Sequence, residues 1–268
     1  MNIKFVDENL LGQPGLCPYI TPETSWQREI SEYDACIYTD KFCFSQPIDE
    51  TKQNYAWIIE PPIINGDNYN NIAKNYEKFK YIFSYYRNIE AKINNFKFIP
   101  HGGTWLRQSE IEIYPKTQLA SFLFSDKQWN GYHRQRHRIY DMLKTNTNIS
   151  FFGSGCNNRI PYKIEAHKNF CFSIVVENSE EEDYFTEKLL DCLLTGTIPI
   201  YLGCPTIEKY FNPSSILRFK DPEQLPDIIA TLTPEMYASM LDSVKENFEK
   251  AKQYIHPEHL IQKCIETL

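Results

Sequence analysis

The chain has 268 residues, of which 42% are apolar and 15% aromatic, so it can bury one large core or two moderate ones. Its 28 Lys and Arg are outnumbered by 35 Asp and Glu, and the net charge of −7 argues against a nucleic-acid-binding protein, which usually carries a basic excess. No stretch approaches the roughly 18 to 20 apolar residues of a membrane span, and no signal peptide is evident, so we expect a soluble, cytoplasmic protein.

Short apolar runs alternate with polar or helical stretches along nearly the whole chain, which is typical of an α/β fold. The predicted strands of the first half are 3–6, 35–38, 56–59, 81–84 and 96–99, with a helical stretch at 69–78. Those of the second half are 119–124, 149–152, 172–176, 198–202 and 216–219, and the tail from Pro222 is predicted to be largely helical.

The segment 101–116, HGGTWLRQSEIEIYPK, separates the two halves with paired glycines and a proline between two apolar strands. Such breaks are typical of domain boundaries. We therefore predict two domains, residues 1–112 and residues 113–268.

A local basic segment, HRQRHR at 133–138, stands out in this acidic chain. Taken alone it suggests a nucleic-acid-binding module, but the overall acidity favours a small anionic ligand instead. The simplest alternative is an exposed helix start with solvated arginines.

The segment from Phe172 to Gly203 reads as a strand, an acidic loop, a short helix and a second strand. Thr186 or Asp183 is suited to cap the helix, and Gly196 lies just past its end, as a helix stop should. A strand, helix and strand in this order predict a parallel pair with a right-handed crossover. Ligands of such sheets bind at the carboxyl ends of the strands.

Glu187 and Lys188 occupy the first turn of that helix, where free backbone N–H groups and the helix dipole attract phosphate. Tyr184 is close enough in sequence to lie against a base or a sugar. The alternative interpretation is an acid and a base that merely suit the start of a helix.

The stretch ENSEEEDYFTEKLLDCLLTGTIPIYLG resembles the donor-binding motif of the α1,3/4-fucosyltransferases, glycosyltransferase family ten. The positions that carry the resemblance are Glu177, Asn178, Tyr184, Thr186, Glu187, Lys188, Ile198, Pro199, Ile200 and Gly203. The resemblance implies that Glu187 holds the nucleotide ribose and Lys188 the diphosphate. It also implies that Asn178, Tyr184 and Thr186 belong to the donor pocket.

A looser resemblance covers 119–143, where the family has a strand, a loop and an arginine that opens a helix. Arg136 matches that arginine, whose partner in the family is the donor diphosphate. A planar guanidinium suits two phosphoryl oxygens. Arg134 and Arg138, its neighbours in the same segment, are the alternatives if the register is shifted.

The resemblance implies a GT-B-like α/β fold, in which two Rossmann-like domains face each other across a cleft and the second binds the donor. The first domain would then bind the acceptor and supply a base. Glu60 is the candidate, because it follows an apolar run and precedes Pro61 and Pro62, at the carboxyl end of a predicted strand. Asp40, at the end of the preceding strand, is the rival.

The function that this sequence predicts is an inverting glycosyltransferase that moves L-fucose from GDP-fucose to a hydroxyl of a glycan, without a metal or other cofactor. One alternative is a UDP- or TDP-linked donor, and another is a sugar-nucleotide-binding protein without catalysis. The family members from animals carry a Golgi anchor that is not evident here, so we expect a soluble bacterial or viral type. The acceptor is not fixed by the sequence.

Overall fold

The computed structural model describes residues 1–7, 13 and 15–267 and divides into two compact units. The first unit comprises Met1–His101 and His256–Leu268, and the second comprises Gly102–Ile255. Each unit has its own parallel sheet with helices. The predicted α/β fold with two Rossmann-like halves is therefore confirmed.

The sheet of the first unit has six strands in the spatial order β2-β1-β3-β4-β5-β6, and every pairing is parallel. The strands are β1 Ile3–Val6, β2 Trp26–Gln27, β3 Ala35–Thr39, β4 Gln53–Ile58, β5 Tyr81–Ser84 and β6 Phe96–Phe98. All five predicted strands are present. The sequence did not predict β2, because two residues are too few to show a pattern.

The helices of the first unit are α1 Phe42–Ser45, α2 Pro62–Asn75 and α8 Pro257–Glu266. Alternate residues of a strand point to opposite faces of a sheet, and both faces here are apolar. Ile37 of β3 joins one buried cluster, whereas its neighbours Cys36 and Tyr38 join the other. The sheet is thus covered on both sides.

The sheet of the second unit has five parallel strands in the order β11-β10-β9-β7-β8. The strands are β7 Gln118–Leu123, β8 Ile149–Phe152, β9 Phe170–Val176, β10 Ile198–Leu202 and β11 Leu217–Arg218. The helices are α3 Gly131–Leu143, α4 Glu187–Leu193, α5 Leu225–Thr231, α6 Pro234–Ser239 and α7 Leu241–Ala251. All five predicted strands and the helical tail are present.

The strand order of the second unit creates a crevice at the carboxyl edge of its sheet. The chain runs from β7 outward to β8 and then returns to β9 on the opposite side of β7. The connections that leave β7 and β9 therefore diverge, and such a switch point is where open α/β sheets bind ligands.

The last helix differs from the predicted domain division, which placed residues 113–268 in one domain. Helix α8 belongs to the first unit, because Ile261 and Ile265 pack in the core formed by β1, β3 and β4. The buried carboxylate of Glu258 also accepts a hydrogen bond from the backbone N–H of Leu16 at 2.6 Å. A helical pattern at the end of a chain does not reveal which sheet it will cover.

The helices of this chain are short: α2, with 14 residues and a kink at Asn65, and α3, with 13, are the longest in the described part. Within those same residues, none of the helices has both the length and the apolar character that crossing a bilayer demands.

The substitution Ile261→Ala tests the assignment of α8 to the first unit. Removing a fully buried isoleucine side chain should lower the free energy of unfolding by about 2–5 kcal/mol, through lost apolar burial and the cavity left behind. Urea denaturation followed by circular dichroism measures the change. Lys263→Ala, on the exposed side of the same helix, is the control, and equal losses in the two variants would contradict this packing.

Candidate active site

The site is built around the start of α4, which begins at a side-chain cap. Thr186 has an extended backbone, and its hydroxyl accepts a hydrogen bond from the backbone N–H of Lys188 at 3.3 Å. Of the two predicted caps, Thr186 is therefore the one observed. Gly196 follows the helix with φ of +69°, as predicted for a helix stop.

Glu177 connects this helix start to the end of β9. Its carboxylate is wholly buried and accepts hydrogen bonds from the backbone N–H of Thr186 at 2.9 Å and from the Thr186 hydroxyl at 2.7 Å. Burial raises the pKa of Glu177, against the opposing pull of Lys188, whose Nζ lies 3.7 Å away. The carboxylate thus fixes where the first turn of α4 begins.

Gly203, the last residue of the predicted motif, has a steric role in this arrangement. A Cβ added at this position would lie 2.5 Å from Cγ of Glu177 and 2.5 Å from the hydroxyl oxygen of Tyr201. Both neighbours are buried, so neither can move aside at low cost. Glycine is required here because the buried glutamate occupies the space of a side chain.

Glu187 and Lys188 form an ion pair at the crevice, with Nζ of Lys188 3.1 Å from Oε1 of Glu187. A second cation, Lys163, brings its Nζ to 3.6 Å from the same oxygen. Burial opposes ionisation of Glu187, but Lys188 and Lys163 outweigh it and hold the pKa of this carboxyl well below its usual range. Glu187 is therefore ionised at neutral pH.

Lys163 and its contact with Glu187 were not predicted from the sequence. Its Nζ lies 3.9 Å from the ring centroid of Trp105. The backbone N–H of Trp105 and the hydroxyl of Thr104 donate to the buried carboxylate of Asp191, on α4, at 3.0 and 2.6 Å. Burial raises the pKa of Asp191 to about 7. A lone lysine in a polar loop gives no signal of such a contact in a sequence.

Arg136 extends from α3 to the carboxyl end of β9. It is buried, and its guanidinium donates to the backbone carbonyl of Val176 at 3.1 and 2.7 Å and to Oδ1 of Asn178 at 2.8 Å. The two alternatives in the same segment are exposed: Arg134 donates to the carbonyl of Gln128, and Arg138 pairs with Glu223. Arg136 is thus the arginine of this helix that reaches the switch point.

Tyr184 is only 1% exposed, whereas the sequence suggested a ring open to a base or a sugar. It lies near enough to Arg136 to interact with the guanidinium electrostatically.

The structure brings the other predicted donor residues together. The carboxyl end of β9 and the start of α4 are surrounded by Asn178, Thr186, Glu187, Lys188 and Arg136.

His133 lies near three of the cations of this crevice. It lies buried on α3, and burial together with the nearby charges of Arg136, Lys127 and Lys188 lowers its pKa to about 4. The three cations, and not the burial, are what would favour an anionic ligand here.

Asp40 and Glu60 lie in the first unit, at the carboxyl ends of β3 and β4. Asp40 is wholly buried with φ of +44°, and its Oδ1 accepts from the backbone N–H groups of Ile59 and Glu60 at 3.1 and 3.4 Å and from Asn68 Nδ2 at 3.3 Å. Glu60 is half-buried, and its carbonyl accepts from the hydroxyl of Tyr69 at 2.8 Å. Asp40 therefore anchors the backbone that carries Glu60.

Across residues 1–7, 13 and 15–267, no group of three or more His, Cys, Asp and Glu side chains has an arrangement that could hold a metal ion.

The substitution Gly203→Ala should displace Glu177 and loosen the start of α4. Overpacking of this kind costs about 1–3 kcal/mol of stability, which thermal unfolding measures. Gly131→Ala is the matched control, because no atom lies within 4 Å of the Cβ it would add. The assigned role of Gly203 is wrong if both variants unfold at the wild-type temperature.

Comparison with known proteins identifies the family of the chain. The family model for glycosyltransferase family 10 (fucosyltransferase) C-term matches residues 113–264. Among curated relatives, the α-(1,3)-fucosyltransferase FucT of Helicobacter pylori is 33% identical over 139 residues, which are 49% of this chain and 28% of that protein. The α-(1,3)-fucosyltransferase 7 of Bos taurus is 28% identical over 162 residues, 58% of this chain and 44% of that protein. The chain spans less than half the length of these relatives.

Solved structures show the same fold at low sequence identity. A crystal structure of α1,3-fucosyltransferase with GDP-fucose matches with a TM-score of 0.57 and 17% identity, covering 95% of this chain and 90% of that chain. HepE of Anabaena in complex with UDP matches with a TM-score of 0.65 and 13% identity, covering 100% and 99%. These likenesses establish a GT-B-type α/β fold.

The family match covers more than half of the sequence and agrees with the motif from Glu177 to Gly203. The chain therefore belongs to glycosyltransferase family 10, the fucosyltransferases.

Proposed function

We propose that this protein transfers L-fucose from GDP-fucose to a hydroxyl of a glycan, with inversion at the anomeric carbon and without a metal ion. Membership of the fucosyltransferase family supports the transferred sugar. The observation that carries the proposal is the convergence of Arg136 and Lys188 on the switch point of the second sheet. A diphosphate at that point would meet two cations and the first turn of a helix.

In this proposal each donor residue has a defined partner. Lys188 and Arg136 bind the diphosphate, and Glu187 accepts hydrogen bonds from the ribose hydroxyls. Asn178, Tyr184 and Thr186 shape the pocket, since Asn178 holds the Arg136 guanidinium and Thr186 begins α4.

Fixed cations can replace a metal in this chemistry. As the bond between the sugar and the diphosphate breaks, negative charge grows on the leaving phosphate. A guanidinium and an ammonium already in position stabilise that charge more in the transition state than in the ground state. The low pKa of His133, due to its burial and then to the neighbouring cations, supports such a preset positive field.

Glu60 is proposed as the general base. Its carboxylate would take the proton of the acceptor hydroxyl while the hydroxyl oxygen bonds to the anomeric carbon and GDP departs from the opposite face. The surroundings of the two candidates favour this choice, since Asp40 is wholly buried and already accepts three hydrogen bonds. Asp40 instead positions the Glu60 backbone.

A screen of nucleotide sugars tests the donor. We expect GDP-fucose to raise the melting temperature more than UDP-glucose or a TDP-hexose does, and to release GDP when a glycan acceptor is added. HepE was crystallised with UDP, so stronger stabilisation by UDP-glucose would move the assignment to a UDP donor. Stabilisation without release from any acceptor would point to a binding protein.

Within that screen, Lys188→Met should lower the rate of GDP release at least ~10-fold, because it removes one cation from the leaving group. Lys188 is a cleaner test than Arg136, whose truncation would also leave the buried carbonyl of Val176 without its donor. Lys250→Met, which breaks an exposed pair with Glu246 on α7, is the control. Release at the wild-type rate would exclude Lys188 from the phosphate site.

The substitution Glu60→Gln should leave GDP affinity unchanged and reduce transfer at least ~100-fold, since an amide cannot accept the proton. Calorimetric titration with GDP and a transfer assay measure the two quantities. Asp40→Asn keeps an acceptor oxygen for the same N–H groups and should retain more activity than Glu60→Gln. The reverse order would make Asp40 the base.

A further inference from the structure

We propose that Lys163 is a positioning residue of the donor site: it holds the carboxylate of Glu187 in the orientation that binds the donor ribose. The inference rests on the proposed function, because it takes Glu187 as the ribose partner. Lys163 lies outside the motif from Glu177 to Gly203, and it is the geometry around Glu187 that assigns it this role.

Both lysines of the site approach one oxygen of Glu187. Nζ of Lys188 lies 3.1 Å from Oε1, and Nζ of Lys163 lies 3.6 Å from the same atom. The carboxylate can therefore meet its cations with Oε1 while Oε2 accepts from a ribose hydroxyl. Fixing one oxygen limits the rotation of the side chain and so lowers the entropic cost of binding the hydroxyl.

The two lysines differ in what they can do when a donor binds. Lys188 contacts the Thr186 hydroxyl at 3.2 Å and Glu177 at 3.7 Å, as well as Glu187, so it stands at the helix start where the diphosphate is proposed to lie. A lysine that also pairs with a phosphate is less strongly paired with its carboxylate. Lys163 then remains the cation that pairs with Glu187 but not with the phosphate, and without it this half-buried carboxylate would keep only a weakened partner when the donor arrives.

Lys163 is itself held by a chain of contacts that returns to the same helix. Its ammonium lies 3.9 Å from the centroid of the Trp105 ring, a cation–π contact. The backbone of Trp105 is fixed by Asp191, which is four residues after Glu187 and therefore on the same face of α4. Burial lowers the pKa of Lys163, and the attraction of Glu187 and Asp191 opposes that effect.

The test compares GDP with 2′-deoxy-GDP, which lacks one ribose hydroxyl. Isothermal titration of the whole chain should show that the wild type prefers GDP by ~10-fold or more, as expected for a hydrogen bond to a charged group. In Lys163→Met the preference should fall below ~2-fold, because Glu187 is no longer held for the hydroxyl. Lys163→Arg should restore it. An unchanged preference in Lys163→Met would overturn the proposal.

Two further observations separate the outcomes. Lys144→Met removes the same charge from an exposed pair with Asp141 and should leave the preference as in the wild type. A Lys163→Met protein that binds both nucleotides more weakly by one common factor would make Lys163 a general phosphate cation and not a positioning residue. Lys163→Gln takes the place of Lys163→Met if thermal unfolding shows that the latter does not fold.

An experiment that needs no nucleotide separates a failure of this proposal from a failure of the donor assignment. If the wild type binds no GDP, the donor assignment fails. The role of Lys163 is then decided by crystal structures of ligand-free Lys188→Met and of the double variant Lys163→Met, Lys188→Met. We expect the Glu187 carboxylate to keep its position when Lys188 alone is removed and to leave it in the double variant, and an unmoved carboxylate in the double variant would count against Lys163.

Discussion

The buried carboxylate of Glu177 is the interaction on which the donor crevice depends. Taking an ionised carboxylate out of water costs several kcal/mol unless its oxygens are satisfied. Both oxygens are satisfied here by Thr186, through its backbone N–H and its hydroxyl. The end of β9 is thereby fixed to the first turn of α4. Gly203 leaves the space that this carboxylate fills, so three separate segments of the sequence are joined at one point.

That fixed point also organises the positive charge of the crevice. Lys188 is paired with Glu187 and lies near Glu177, and Arg136 is held by Val176 and Asn178. Each cation is therefore oriented before any ligand arrives, and little reorganisation is needed when an anion binds. The same pairing weakens the attraction of the crevice for an anion, because Glu187 and Glu177 compete with phosphate for Lys188. The crevice therefore binds an anion less strongly than unpaired cations would, but it holds the anion in a fixed geometry.

The sequence predicted much of this, and the exceptions have physical causes. The ten main strands and a cap at Thr186 or Asp183 follow from local pattern, because each is specified by a few neighbouring residues, and the structure shows Thr186 as the cap. Arg136 was chosen from the resemblance to the family. Lys163 and the Asp191 contacts with Thr104 and Trp105 join distant segments, and only the folded chain brings them together. The sequence did not reveal that α8 packs in the first unit for the same reason, since apolar residues such as Ile261 and Ile265 do not show which sheet they will contact. The contact of Tyr184 with a base or a sugar stays a prediction.

In both units, a buried carboxylate at the end of a strand binds the main chain next to a second carboxylate. In the second unit, Glu177 at the end of β9 binds the backbone of Thr186, and the next residue is Glu187. In the first, Asp40 at the end of β3 binds the backbone of Ile59 and Glu60. A buried acid thus fixes the main chain at or beside a second, more exposed acid. A main-chain contact of this kind sets the position of the second acid and leaves its side chain to make contacts of its own, as Glu187 does with Lys163 and Lys188. This separation of anchoring from chemistry supports the proposal that Glu60 and Glu187 act on the substrates while Asp40 and Glu177 position the main chain.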